Sequence, residues 1–385
     1  MMTADTASST SSVGSAPGSA TPRASGRIHG IDMARGIAMF FMTIVHFVAW
    51  WEGDGLLFSI AEQSSGRAVP LFMLLGGIGV TIMTRRSSTP TRNLLIRAVM
   101  LLILGFVLTE FVDRLAIVLQ AYALFFVLAI VLWRLPSTVL LALVPIITAA
   151  GAVTFQIVGT PRELTPFETF FDSTQGVESL VFDGFYPLFP FGAFFVFGMW
   201  LARIDLRSER VAAVLLSAGT FVGAGVWIGS RWIVSTFDVQ TDFGGRRGDG
   251  MFHLGRLLDS VGHSSMPAWV ISALGTSAAV LGLSLLIAPR LTKLVSPITI
   301  VGTMSLTYYV YQALLTNVVP DTPETGVGTE WIFVLAVYGS FIPLAWLWKR
   351  MFSSGPLERA LRIGSGPSLT AAVPGATSNP RPPLP

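Results

Sequence analysis

Cysteine is absent from the 385-residue chain, which excludes a disulfide framework, a thiolate metal site and a cysteine nucleophile. Lysine is nearly absent. It occurs only at Lys293 and Lys349, and every other cationic side chain is arginine. Charge of either sign is scarce, at 12% of residues, against roughly 25% in average soluble proteins. A soluble fold of this length needs a polar surface that so few charges cannot supply. A surface facing lipid needs none, and 52% of the residues are hydrophobic, with a mean hydropathy of +0.66.

What is present is a series of long apolar runs between two polar tails. Residues 1–26 and 363–385 are rich in small polar residues, glycine and proline, and are expected to be disordered because they cannot bury enough apolar surface to offset ordering. No apolar stretch precedes Arg27, so the first tail does not read as a signal peptide. A helix needs roughly 20 residues to cross the hydrocarbon core. Runs near 31–51, 68–84, 94–112, 115–133, 138–158, 185–202, 210–230, 268–288, 297–318 and 330–348 meet or approach that length. The expected fold is an all-α integral membrane protein, a bundle of about ten transmembrane helices, occupying residues 27–362. The glycine-rich second run and the tight link at Asp113 and Arg114 are the places where a bent or re-entrant segment is expected.

With both termini placed in the cytoplasm, eighteen of the 25 Lys and Arg residues fall on the inner side and seventeen of the 22 Asp and Glu residues on the outer side. The basic excess sets the orientation by the positive-inside rule. All ten tryptophans lie at or near expected helix ends, in two belts. The outer loops near 159–184 and 231–267 are long and polar, and the second holds two of the four histidines. Loops of that length are commonly functional.

Few residues in the runs can do chemistry. Asp32 and Arg35 are three apart on the first helix and can face each other. They read either as an anchoring ion pair or as a charged inner mouth for an anionic ligand. His46 lies on the same helix, roughly 21 Å farther across the membrane. An ionisable group inside a span is a functional hypothesis by default, and histidine serves as a base near neutral pH or as a nucleophile; the bland alternative is a neutral imidazole bonded to a neighbouring helix. His263 and Ser264 close the second long outer loop. Asp259 is four residues earlier, where a helical turn would let its carboxylate orient His263. Arg67, Glu110, Asp113 and Arg114 are charges near outer helix ends, where mutual pairing is expected. His29 and His253 have no supporting pattern. Leu75-Gly76-Gly77-Ile78-Gly79 lacks the lysine of a phosphate loop and reads as a helix-packing surface. No metal-ligand cluster and no nucleic-acid signature is evident.

Several stretches taken together resemble one family. Arg27 with Ile31-Asp32, Arg35-Gly36; Pro70-Leu71-Phe72 with Gly76-Gly77-Ile78; Tyr186-Pro187-Leu188 through Gly198-Met199; His263-Ser264; Gly302-Thr303-Met304-Ser305-Leu306-Thr307-Tyr308-Tyr309, followed by Gln312; and Gly355-Pro356-Leu357-Glu358 with Arg362 occur in the order found in YeiB-like bacterial membrane proteins, which are related to heparan-α-glucosaminide N-acetyltransferase. The resemblance covers about residues 27–362. It implies a multi-pass protein of the bacterial plasma membrane that transfers a short acyl group from cytoplasmic acyl-CoA, such as acetyl-CoA, to an extracytoplasmic glycan or glycolipid. On that reading Asp32 and Arg35 meet the donor, His46 or His263 is catalytic, and Arg67, Ser264 and Gln312 meet the acceptor. The partners are the lipid bilayer, the donor and the acceptor, and a homodimer is compatible with it. One departure stands out. The lysosomal relatives carry their active histidine in the outer loop after the first span and an asparagine near that span's end, whereas here His46 takes the asparagine-like position and Glu52 to Gly66 contains no histidine. Transport or flipping of an envelope precursor, and a non-catalytic scaffold role in envelope assembly, are the other functions the sequence allows.

Overall fold

Inside a bilayer no water is present to satisfy backbone N–H and C=O groups, so each apolar run must close its own hydrogen bonds as a helix. The structure, a computed structural model, describes residues 27–48, 55–112, 115–157, 181, 185–243, 250–318 and 326–365. Its described residues form thirteen α-helices and no strand, so this is an all-α membrane protein. In chain order the helices are α1 (His29–Phe47), α2 (Leu56–Ser65), α3 (Ala68–Arg85), α4 (Pro90–Phe111), α5 (Leu119–Leu132), α6 (Ser137–Ile157), α7 (Leu188–Leu201), α8 (Glu209–Thr236), α9 (Pro267–Arg290), α10 (Ser296–Thr303), α11 (Ser305–Leu315), α12 (Gly326–Met351) and α13 (Pro356–Ser365). The segment 1–26, the part of 363–385 beyond Ser365, the loop 159–184 apart from residue 181, the pair Asp113–Arg114, and Trp50 and Trp51 lie outside the described residues.

Each of the ten apolar runs is helical, but not every run is one straight span. Seven are long and apolar enough to cross a membrane: α1, α3, α4, α6, α8, α9 and residues 329–351 of α12. The helices α5 and α7 have 14 residues each and reach about 21 Å, short of a hydrocarbon core of about 30 Å. The ninth run is broken, with α10 and α11 meeting at 90°.

The break falls outside the glycine-rich second run, where the sequence pointed to a bend; the other such position, the link at Asp113 and Arg114, lies outside the described residues. The glycine-rich second run forms the single unbroken helix α3, and its glycines serve packing. A side chain at Gly77 would collide with the Phe195 carbonyl oxygen, and one at Gly198 with that of Leu74, so α3 and α7 approach backbone to backbone. Around this contact lies a buried aromatic layer that includes Phe125, Phe191, Phe194, Phe195, Tyr308 and Tyr309. Helices α4, α8 and α12 turn apolar side chains such as Val107, Phe221 and Leu344 outward, as lipid-facing positions require.

At the break, Met304 leaves the helical region, with φ −129° and ψ 36°. The first N–H groups of α11 then have no partner within the helix. A carboxylate from α13 supplies one. Glu358 Oε1 accepts from Leu306 N at 2.8 Å and from Thr307 N at 3.1 Å, while Oε2 accepts from the Thr307 hydroxyl at 2.7 Å. A negative charge at a helix N-terminus is favoured by the helix dipole as well. Irregular backbone at membrane depth persists where protein covers it, and here α13 and α1 provide the cover. Gly302, at the end of α10, sits so close to α1 that a Cβ would overlap the Asp32 carbonyl oxygen.

Candidate functional site

Helix α1 carries polar groups at two depths, and the remaining elements arrange themselves around each. Near its N-terminal end Asp32 is buried although ionisable, and two arginines compensate it. Arg27 donates Nε to one carboxylate oxygen and Nη2 to the other at 3.2 Å, and Arg35 Nη1 lies 3.4 Å from Oδ1. The second contact is long for a hydrogen bond. Arg35 also reaches across α3, placing Nη2 3.0 Å from where a Cβ on Gly79 would stand.

Beside this network is a cavity of about 380 Å³. Arg27, His29 and Lys349 line it, together with the hydroxyl residues Thr292, Ser296, Thr299 and Thr303 and the apolar Ala288, Val295 and Ile300. Four of these belong to α10, so the broken ninth run forms one wall. The Thr299 and Thr303 hydroxyls donate to the Val295 and Ile300 carbonyls at 2.9 and 2.7 Å, leaving Thr292 and Ser296 beside the cationic groups, a combination that suits a phosphate-bearing ligand. Arg27 belongs to both the cavity and the Asp32 network. Arg35 does not line the cavity, and His29, which the sequence left without a role, does.

Farther out, Thr43 is fully buried on α1 and meets α11. Its hydroxyl lies 2.7 Å from the Tyr308 hydroxyl and 2.8 Å from Gln312 Oε1. Gln312 is completely buried, and its Nε2 has no hydrogen-bond partner. His46 follows Thr43 by three residues, which puts both on one face of α1. Its Nδ1 is buried and also lacks a partner. A buried polar atom left unsatisfied costs about 1–3 kcal/mol, and native structures contain few. One of these atoms is on the side chain that touches Thr43 and the other lies one turn along α1 from Thr43.

The outer-loop candidates gather elsewhere. His263 adopts φ 64° and packs against Trp269, Phe191 and Tyr186, with ring centroids 6.0, 6.3 and 6.4 Å away. Trp269 donates its indole N–H to the Gly66 carbonyl at 3.0 Å, which brings the neighbouring Arg67 to the same side. Arg67 itself donates to the Gln63 carbonyl at 3.1 Å. The Ser264 hydroxyl donates to the Asp259 carbonyl at 3.1 Å and accepts from Met266 N at 3.4 Å, closing the turn before α9. No hydrogen bond or ring contact joins His46 to His263 among the described residues.

The stretch from Asp259 to His263 is not helical, so the stacking of carboxylate on imidazole that a helical turn would give does not form. Asp259 Oδ1 instead accepts from Val261 N at 2.9 Å. Burial raises the Asp259 carboxyl above its ordinary value of 3.8; the Val261 hydrogen bond and Arg256 oppose this, and Asp242 adds to it. An acid with a raised folded-state value holds its proton more tightly when folded. Stability therefore falls as pH rises from 3.8 through the raised value. Asp259→Asn keeps the acceptor for Val261 and removes the charge. It is expected to raise the thermal midpoint at pH 7, with the difference vanishing below the ordinary carboxylate range. A lower midpoint at pH 7 would contradict this account.

The sequence reading did not single out Arg27, His29, Thr43, Tyr308 or Lys349. Two signals were available: Lys349 is one of only two lysines, and Tyr308 and Gln312 are four apart, hence on one helix face. Their partners on α1 could not be known without the fold.

The fold is that of a multi-pass helical membrane protein with a charged network at one end of α1 and polar side chains buried between its helices. The family model described as "Heparan-alpha-glucosaminide N-acetyltransferase, catalytic" matches residues 27–234, more than half of the chain, and the chain belongs to that family. Residues 253–365 match a second model, described as a protein of unknown function (DUF418). No curated protein matches the chain. Among the described residues, no group of three His, Asp or Glu side chains is placed to hold a metal ion.

Proposed function

We propose that the protein takes a short acyl group, such as acetyl, from acyl-CoA on the cytoplasmic side of a bacterial plasma membrane and transfers it to a glycan or glycolipid outside. The observation that carries this reading is the cavity bounded by Arg27, His29, Lys349 and the hydroxyls of Thr292, Ser296, Thr299 and Thr303. It fits the phosphates of coenzyme A, which are too highly charged to enter lipid. An acyl arm extending from there must run roughly 21 Å along α1, from the level of His29 to that of Thr43. His46 is then one turn beyond. As a base it takes the proton of an acceptor hydroxyl or amine while the acceptor oxygen or nitrogen bonds to the acyl carbon. The carbon–sulfur bond breaks and coenzyme A leaves as the thiolate. Asp32 keeps Arg27 and Arg35 in place through its two ion pairs. The aromatic surround of His263, with Arg67 nearby, supports an acceptor approach from the outer loops.

Thermal unfolding of the purified full chain with coenzyme A or acetyl-CoA tests the donor site, because a ligand that binds only the folded state stabilises it by mass action. Both ligands are expected to raise the midpoint. Lys349→Gln, which leaves the Asp32 network untouched, is expected to weaken the apparent affinity about tenfold, the loss of one charge-assisted contact worth about 1.5 kcal/mol. A wild-type chain that is folded and shows no shift with millimolar ligand would overturn the reading.

A second reading, transport or flipping of an envelope precursor, draws on the broken ninth run, since transporters bind substrates at interrupted helices. Only one such bent pair occurs among the described residues, whereas a transporter built from repeats has two. Substrate movement in proteoliposomes without any acyl donor would favour it.

A further inference from the structure

Acyl transfer to an oxygen or nitrogen passes through a tetrahedral carbon whose oxygen carries negative charge. Catalysts stabilise that oxygen with hydrogen-bond donors fixed before the reaction in a water-poor place. The candidate donors near His46 are few. Tyr308 and Thr43 have their hydroxyls engaged with each other, and the Thr43 hydroxyl lies 2.8 Å from Gln312 Oε1. Tyr308 O–H donates to the Thr43 oxygen, and the one Thr43 hydrogen has two acceptors in reach, Gln312 Oε1 and the Met39 carbonyl oxygen, each at 2.8 Å. With the amide oxygen turned to Thr43, these contacts hold that end of the side chain. The two Nε2 hydrogens, fully buried, then have no acceptor among the described residues.

An amide held at one end and unsatisfied at the other is an expensive arrangement inside a membrane protein. Exchanging the amide's oxygen and nitrogen does not remove the cost, because the terminal atom facing away from Thr43 would still lack a partner. α11 is also anchored independently of this contact, through the Glu358 carboxylate at its N-terminus. Gln312 is thus held on a fixed element and against the Thr43 hydroxyl, which lies one helical turn from His46 on α1.

We infer that Gln312 is a catalytic residue, donating Nε2–H to the carbonyl oxygen of the bound thioester and to the oxyanion that forms there, with Thr43 and Tyr308 as positioning residues. The inference rests on the acyltransferase reading given above. No bond to Gln312 forms or breaks. The electron pair of the carbonyl moves onto oxygen as the acceptor attacks, rests on the Gln312 hydrogen bond, and returns as the thiolate leaves.

The test uses the full chain with acetyl-CoA carrying a 13C label at the thioester carbonyl. Infrared difference spectra report the carbonyl stretch, and thermal stabilisation by the same ligand reports binding. A donor on the carbonyl lowers the stretching frequency, so wild type is expected to show a band shifted down from that of free acetyl-CoA. Gln312→Met matches the volume without a donor, and should still bind acetyl-CoA, with a stabilisation smaller by at most one neutral hydrogen bond, while the band returns to the free value. Gln312→Asn, which keeps the amide, serves if the methionine variant does not fold; one methylene shorter, it should weaken the shift. The lack of cysteine in the chain allows release of coenzyme A to be followed by thiol titration without background. Removal of one oxyanion donor is expected to lower that rate about 10²–10³-fold at an unchanged KM. Wild type that binds acetyl-CoA without a band shift, or a methionine variant that keeps the shift, would overturn the inference and leave the donor site standing. Wild type that does not bind acetyl-CoA at all would overturn the acyltransferase reading and this inference with it.

Discussion

Alanine at Gly302 is expected to destabilise the protein by about 3 kcal/mol or more, at the upper end of what overpacking does in a well-packed interior. A Cβ on Gly302 would overlap the Asp32 carbonyl oxygen and stand 2.7 Å from Gly36 N. Both obstacles are backbone atoms in α1, and backbone in the middle of a helix cannot rotate aside as a side chain does. Gly36 in turn sits directly against the Ile298 carbonyl, so the contact is tight from both directions. Relief would require α1 and α10 to separate, which would open the wall of the cavity that α10 forms. The loss should show as a lower thermal midpoint and a smaller folded fraction in detergent. The same measurement on Gly225→Ala is the control, because a Cβ there meets nothing within 4 Å. A Gly302→Ala chain as stable as that control would mean that the close approach of α1 and α10 is not a determinant of the fold.

Glu358→Ala is expected to cost about 2–3 kcal/mol, the penalty for stripping a charged acceptor from N–H groups that water cannot reach. Three donors lose their partner at once: Leu306 N, Thr307 N and the Thr307 hydroxyl. Glu358→Gln should be milder. Its carbonyl oxygen still accepts from both backbone groups, and what is lost is the charge, its favourable interaction with the helix dipole and the acceptor of the Thr307 hydroxyl. The expected order of thermal midpoints is therefore wild type, glutamine, alanine. Because α11 carries Tyr308 and Gln312, the alanine variant should also lose acyl transfer disproportionately to its remaining folded fraction. Equal midpoints for all three chains would show that α13 merely lies beside the broken run and does not hold it.

These two substitutions separate what could be read locally from what could not. The motif from Gly302 to Tyr309 was visible in the sequence as part of a family resemblance, yet nothing in it announces a right-angle turn. It contains no proline, and its one glycine ends α10. The local pattern is that of a continuous apolar helix. The opposite holds for the second run, where Gly76, Gly77 and Gly79 looked like places to bend and instead serve close packing of α3 against its neighbours. Among the candidate residues, Gln312 could be named because it follows the family-like stretch Gly302 to Tyr309. Its partner could not be, since Thr43 lies 269 residues earlier. Asp259 and His263 illustrate the reverse case: their spacing is helical, but the chain there is not.

By itself the sequence determined the solvent in which this protein folds and the class of its elements. Long apolar runs, few charges and no cysteine leave only helices in lipid, because hydrocarbon offers the backbone no other partner. The tertiary structure alone decided where the ninth run breaks and what surrounds the break. That outcome depends on a carboxylate 52 residues away along the chain and on the contact of Gly302 with α1. It likewise decided that Arg27 and Lys349, from opposite ends of the chain, share one cavity. Such groups meet only after helices have packed, and their meeting is set by how closely two backbones can approach rather than by any pattern within one run.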